Sequence, residues 1–97
     1  MVAGRYPTIG CVPRISSFYG IAIYMYWLDH APPHFHAQYG EYWAEFTIHD
    51  GTLLKGSLPP RAMRMVEEWR ELHERELQEN WRRVQRPEPP AGIEPLP

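Results

Sequence analysis

The sequence predicts an α+β domain: a small antiparallel β-meander of three to four strands, packed by a C-terminal helix or a kinked helix pair. Three observations carry this. Hydrophobic residues alternate on both sides of Gly40-Glu41, the signature of a hairpin. An apolar stripe then steps by three or four residues from Leu58 to Val84, which is helical spacing. Finally, 97 residues suffice for one core and no more.

Residues 1–12, with Gly4, Pro7 and Gly10, read as an irregular extension before a single domain over 13–86. Phe18 to Leu28 is β-branched and aromatic on both parities, so it reads as a strand buried on both faces, with Gly20 a bulge. Pro32-Pro33 cannot donate to a central ladder, so Asp29 to Pro33 is a turn.

His34 to Tyr39 and Tyr42 to His49 form the hairpin, with Gly40 first in a two-residue loop. Counting outward pairs Tyr39 with Tyr42, Gln38 with Trp43, Ala37 with Ala44, His36 with Glu45, Phe35 with Phe46 and His34 with Thr47. One face carries Phe35, Ala37, Tyr39, Tyr42, Ala44, Phe46 and Ile48, and is core. The other carries His34, His36, Gln38, Trp43, Glu45, Thr47 and His49. A slip of one residue exchanges these faces, so burial enforces the register.

Asp50-Gly51 turns the chain into a short strand, Thr52 to Lys55, and Ser57 is the expected N-cap of the helix. Leu58, Ala62, Val66, Trp69, His73, Leu77, Trp81 and Val84 make its apolar stripe. Unbroken from 59 to 86 it would run about 42 Å at about 1.5 Å per residue. A domain of this size is roughly 30 Å across. The helix therefore bends, splits near His73, or projects. The proline-rich tail, 87–97, is a mobile end or a strap docked by Ile93 and Leu96.

A formal charge of −2 gives no bulk push toward nucleic acid or acidic membranes. Cys11 stands alone, which excludes an internal disulfide and suits a reducing compartment. No apolar run is long enough to span a bilayer, and no signal peptide is recognisable. A cytoplasmic protein with no membrane partner is expected.

The runs Pro13-Arg14-Ile15-Ser16-Ser17-Phe18-Tyr19-Gly20 and Asp29-His30-x-Pro32-Pro33-His34-Phe35-His36-Ala37 form paired blocks with Gly56-Ser57-Leu58-Pro59. Together with Trp69-x-x-x-His73-x-x-Glu76-Leu77-x-x-Asn80-Trp81, they resemble a family of small bacterial proteins, domain of unknown function 4160. The resemblance covers about residues 13–85. It implies a hairpin meander with a C-terminal helical segment. It also implies a small cognate partner protein, because such proteins are encoded beside another small chain in units that resemble toxin–antitoxin modules.

Chemistry is expected where three of the five histidines crowd together, at His30, His34 and His36. The leading expectation is a toxin-like or regulatory module component that acts through its partner, with these histidines as the effector site. RNA cleavage would use His34 and His36 as acid and base and Arg14 or Arg61 as the cation. A second expectation is a divalent metal such as zinc on His34 and His36. Glu45 or His30 would be third ligand, and Asp29 would orient His30 from behind. The third is an interaction domain without catalysis. Trp43 is exposed on the polar face as a contact residue, and Trp69 and Trp81 on the helix serve either the core or a partner. His73 reads as a core histidine unless the helix carries it toward His34 and His36, and His49 as exposed.

Overall fold

The computed structural model describes residues 14–97. The extension over 1–12, with Cys11, lies outside them. Five strands form one sheet: β1 (Arg14–Phe18), β2 (Ile21–Tyr24), β3 (His34–Tyr39), β4 (Tyr42–Thr47) and β5 (Leu53–Ser57), followed by helix α1 (Pro60–Val84). Each strand pairs antiparallel with the next, in the order β1-β2-β3-β4-β5. The fold is thus the α+β meander expected, with five strands rather than three or four.

The extra strand at the front comes from a turn that composition hides. Tyr19 and Gly20 take φ of 49° and 81° and close a two-residue hairpin turn, so the run from Phe18 to Leu28 is not one strand. Tyrosine seldom adopts positive φ, and nothing in an aromatic run announces it. Gly20 is a turn residue, not a bulge. Ile21 and Ile23 face the core, while Ala22 and Tyr24 are half-buried on the opposite face.

The β3–β4 hairpin has the register read from the sequence, from Tyr39 opposite Tyr42 to His34 opposite Thr47. Gly40 takes φ 59°, the conformation that a loop with glycine first requires. Phe35, Ala37, Ala44, Phe46 and Ile48 are buried as one face, while Tyr39 and Tyr42 at the hairpin end are exposed. Strand pairing then lines up Arg14, Tyr24, His36, Glu45 and Lys55 in one row across the other face.

Ser57 ends β5 instead of capping the helix. Pro59 occupies the N-cap position without a side-chain bond, and Pro60 at the first helical position has no N–H to satisfy. Straight, the 25 residues of α1 would run about 37 Å. The longest dimension of the molecule is 36 Å. The helix is bent at His73 (φ −125°, ψ 23°), so of the three alternatives it bends rather than projects.

Its apolar stripe covers the sheet. Trp69 sits between Phe18 and Phe35, with ring centroids 5.5 and 5.8 Å away. Two polar residues are buried on the same helix. Arg70 Nη1 donates to the carbonyls of Ile48 and His49 at 2.9 and 3.0 Å, and Glu67 pairs with the rest of the guanidinium. Asn80 exchanges two hydrogen bonds of 2.8 Å with the backbone of Ala91.

The tail is therefore the strap of the two alternatives. Ile93 and Leu96 are buried, Ile93 N–H donates to Ile15 O at 2.7 Å, and Trp69 Nε1 donates to Glu94 O at 2.9 Å.

Candidate metal centre

The loop between β2 and β3 is fixed from below by the end of the helix. Leu28 N–H donates to Val84 O at 2.8 Å, Gln85 Nε2 to Asp29 O at 3.1 Å, and Trp27 Nε1 to Glu88 O at 2.9 Å. Leu28 takes φ 56°, and the Ala31–Pro32 bond is cis. The loop thereby returns Asp29 over the first residues of β3. His34 and His36 alternate with Phe35, so both rings project to the same side of the strand.

The three side chains converge on one point. Asp29 Oδ2 lies 3.0 Å from His34 Nε2 and 3.1 Å from His36 Nε2. These donor atoms all lie within 4.8 Å of one another. Asp29 Oδ1 accepts the His30 amide at 3.0 Å, which sets the carboxylate plane. Burial pushes the Asp29 carboxyl up. The hydrogen bonds from His36 and the His30 amide, with the charges of His34 and His36, outweigh it and hold the group below the ordinary carboxylate value.

His34 is 1% exposed, although its parity places it on the polar face. Trp81 covers it, ring to ring at 5.3 Å, and Pro32 O accepts from its Nδ1–H at 2.7 Å. A carbonyl only accepts, so Nδ1 is the protonated nitrogen and Nε2 faces Asp29. His36 is more open, with the edge of Tyr26 at 4.6 Å and Tyr26 stacked on Tyr24 at 6.3 Å. Glu45 stands behind the pair, Oε1 3.9 Å from His34 Nε2 and Oε2 3.7 Å from His36 Nδ1.

Of the expected metal set, His34 and His36 come together with Asp29, while Glu45, the expected third ligand, borders the group. His30 remains outside, exposed, with Nδ1 3.3 Å from Ala31 O. Asp29 does hold His30, but through its backbone, and turns its free oxygen on the other two histidines. The signal for Asp29 was its place five and seven residues before them, across a proline pair able to reverse the chain.

His73 does not join them; it pairs with Glu76 and lies against Trp69. The helix residue that reaches His34 is Trp81. His49 is exposed and pairs with Glu74 at 3.4 Å. Arg14 shares the cross-sheet row with His36, whereas Arg61 lines a cleft with Tyr19 and Tyr39, beside the β1–β2 turn. Of the three tryptophans expected as contact residues, Trp43 is half exposed, Trp81 is half-buried, and Trp69 is enclosed in the core with no surface to offer a partner.

Among the described residues no helix is long and apolar enough to cross a membrane. No curated protein and no solved structure matches the chain. A family model described as "Domain of unknown function (DUF4160)" matches residues 20–82, which include every residue of the centre. The chain belongs to the DUF4160 family.

Proposed function

We propose that the protein binds one divalent metal ion of the zinc class through Asp29 Oδ2, His34 Nε2 and His36 Nε2, with a further coordination position open. The observation that carries this is the convergence of three donor atoms: Asp29 Oδ2 lies 3.0 Å from His34 Nε2 and 3.1 Å from His36 Nε2, while Pro32 O, 2.7 Å from His34 Nδ1, turns His34 Nε2 toward the carboxylate. Ligands about 2.0–2.2 Å from zinc in tetrahedral array stand about 3.3–3.6 Å apart, so the spacings of 3.0 and 3.1 Å to Asp29 Oδ2 would open by a few tenths of an ångström on binding. The bond from Nδ1 to a backbone carbonyl is also the usual support of a metal-bound imidazole.

A proton on Nε2 is the metal-free solution, and measurement separates the two. Elemental analysis and zinc titration of the purified protein should give close to one equivalent, lost in Asp29→Asn and in His34→Ala/His36→Ala. A wild-type chain that takes up no zinc, iron or manganese from micromolar solution would refute the metal reading.

A second reading concerns a partner. Trp43 is half exposed on the open sheet face, and an exposed tryptophan there supports contact with a small cognate protein in a two-chain, toxin–antitoxin-like module. Acid–base cleavage of RNA by His34 and His36 draws less support. An enclosed His34 has no surface with which to meet a substrate.

A further inference from the structure

We infer that the centre is hydrolytic, with Glu45 as the proton acceptor, and that its substrate is a phosphodiester; this rests on the metal reading above. Glu45 is the cross-strand partner of both His36 and Lys55, so the three residues hold neighbouring positions in one row across the face of the sheet. Its side chain is 13% exposed, yet among the described residues it makes no hydrogen bond. Oε1 lies 3.9 Å from His34 Nε2, an atom of the metal set, while Oε2 lies 3.7 Å from His36 Nδ1, the ring nitrogen turned away from it. Oε1 thus borders the centre on the His34 side, where it would meet a water held by the ion. A carboxylate in this place does what a ligand cannot: it takes a proton from the attacking water.

Charge selects the substrate. A divalent ion would outweigh the Asp29 carboxylate, and Lys55 is the cross-strand neighbour of Glu45, so the loaded centre would be positive and suit an anionic ester. Lys55 makes no ion pair among the described residues, leaving its ammonium for a non-bridging phosphate oxygen. Tyr24 and Tyr26, stacked nearly parallel beside His36, give a flat wall for a planar substituent.

In the reaction, Glu45 accepts a proton from the attacking water, and the water oxygen forms a bond to phosphorus. The bond from phosphorus to the departing alcohol oxygen breaks, and the Glu45 carboxyl returns its proton to that oxygen. The products are a phosphomonoester and an alcohol, with no other reactant consumed.

The test uses the zinc-loaded and cobalt-loaded full chain with bis(4-nitrophenyl) phosphate, read as released nitrophenolate, beside metal stoichiometry and the cobalt visible spectrum. Glu45→Gln should keep one equivalent of metal and a folded circular dichroism spectrum while hydrolysis falls about 10²–10⁴-fold. Lys55→Ala should raise KM about tenfold and leave kcat nearly unchanged. A chain that binds metal but hydrolyses no faster than the free ion would overturn the inference and spare the metal reading. So would a Glu45→Gln protein as active as wild type. Loss of the metal itself in Glu45→Gln would make Glu45 a ligand and overturn its role as base. Failure of the wild type to take up metal would overturn both readings.

Discussion

Replacing Asn80 with alanine asks how far the proline-rich tail belongs to the fold. Asn80 is 1% exposed, and its side-chain amide meets the backbone of Ala91 as another peptide group would, giving and receiving one hydrogen bond of 2.8 Å each. Each is worth about 1 kcal/mol net. The space left by the amide, a few tens of Å³, adds about 1 kcal/mol at roughly 24 cal/mol per Å³. Asn80→Ala should therefore cost about 3 kcal/mol, a large share of the roughly 5–15 kcal/mol that holds a small domain together. The midpoint of thermal unfolding should fall by roughly 12–24 °C.

Urea unfolding followed by tryptophan fluorescence gives the free energy, and amide exchange locates it. Ile93 N–H, bonded to Ile15 O, should lose protection before the sheet amides do. Asn80→Asp sharpens the test. It keeps the acceptor for Ala91 N–H but sets an anionic oxygen against Ala91 O, so at neutral pH it should be no milder than alanine. A loss below about 1 kcal/mol, or unchanged exchange at Ile93, would refute the strap as a structural element.

Two further outcomes follow from local chemistry. Tyr19 is exposed and holds positive φ in the β1–β2 turn, so Tyr19→Asn should stabilise the protein by about 0.5–1 kcal/mol in urea unfolding, and an unchanged or lower value would refute the turn. Hydrogen bonds from the Thr47 and Thr52 hydroxyls and the Thr52 amide push the Asp50 carboxyl down to about 2. The folded state thus favours the carboxylate. Its contribution is complete above the ordinary value of 3.8 and is lost as pH falls through about 2. Asp50→Asn should flatten that acid limb of the stability curve, and an unchanged slope between pH 4 and pH 2 would contradict the assignment.

The amino-acid pattern alone determined the centre of the fold. Phe35, Ala37, Ala44 and Phe46 can be buried together in only one register, so Gly40-Glu41 and the alternation around it specify which side chains oppose which. The same counting placed His34 and His36 on one face with Glu45 across from His36. The stripe of α1 and the conflict between its length and the domain's width left three outcomes, a bend, a split near His73 or a projecting end, of which the bend at His73 is found. Each of these rests on a short-range periodicity, which the chain carries in its order of residues.

Only the tertiary structure decided the rest, because it depends on groups far apart in sequence. The turn at Tyr19-Gly20 is held by the pairing of its flanking strands against propensity. Arg70 and Asn80 look like members of a solvated helix face until the carbonyls of Ile48, His49 and Ala91 arrive to satisfy them. Asp29 becomes a partner of His34 and His36 because Val84, Gln85 and Glu88, more than fifty residues away, clamp its loop in place. Trp81 turns a polar-face histidine into a buried one, and Ile93 and Leu96 turn a tail into part of the core. A side chain's chemistry follows from what surrounds it, and those surroundings exist only once the chain has closed on itself.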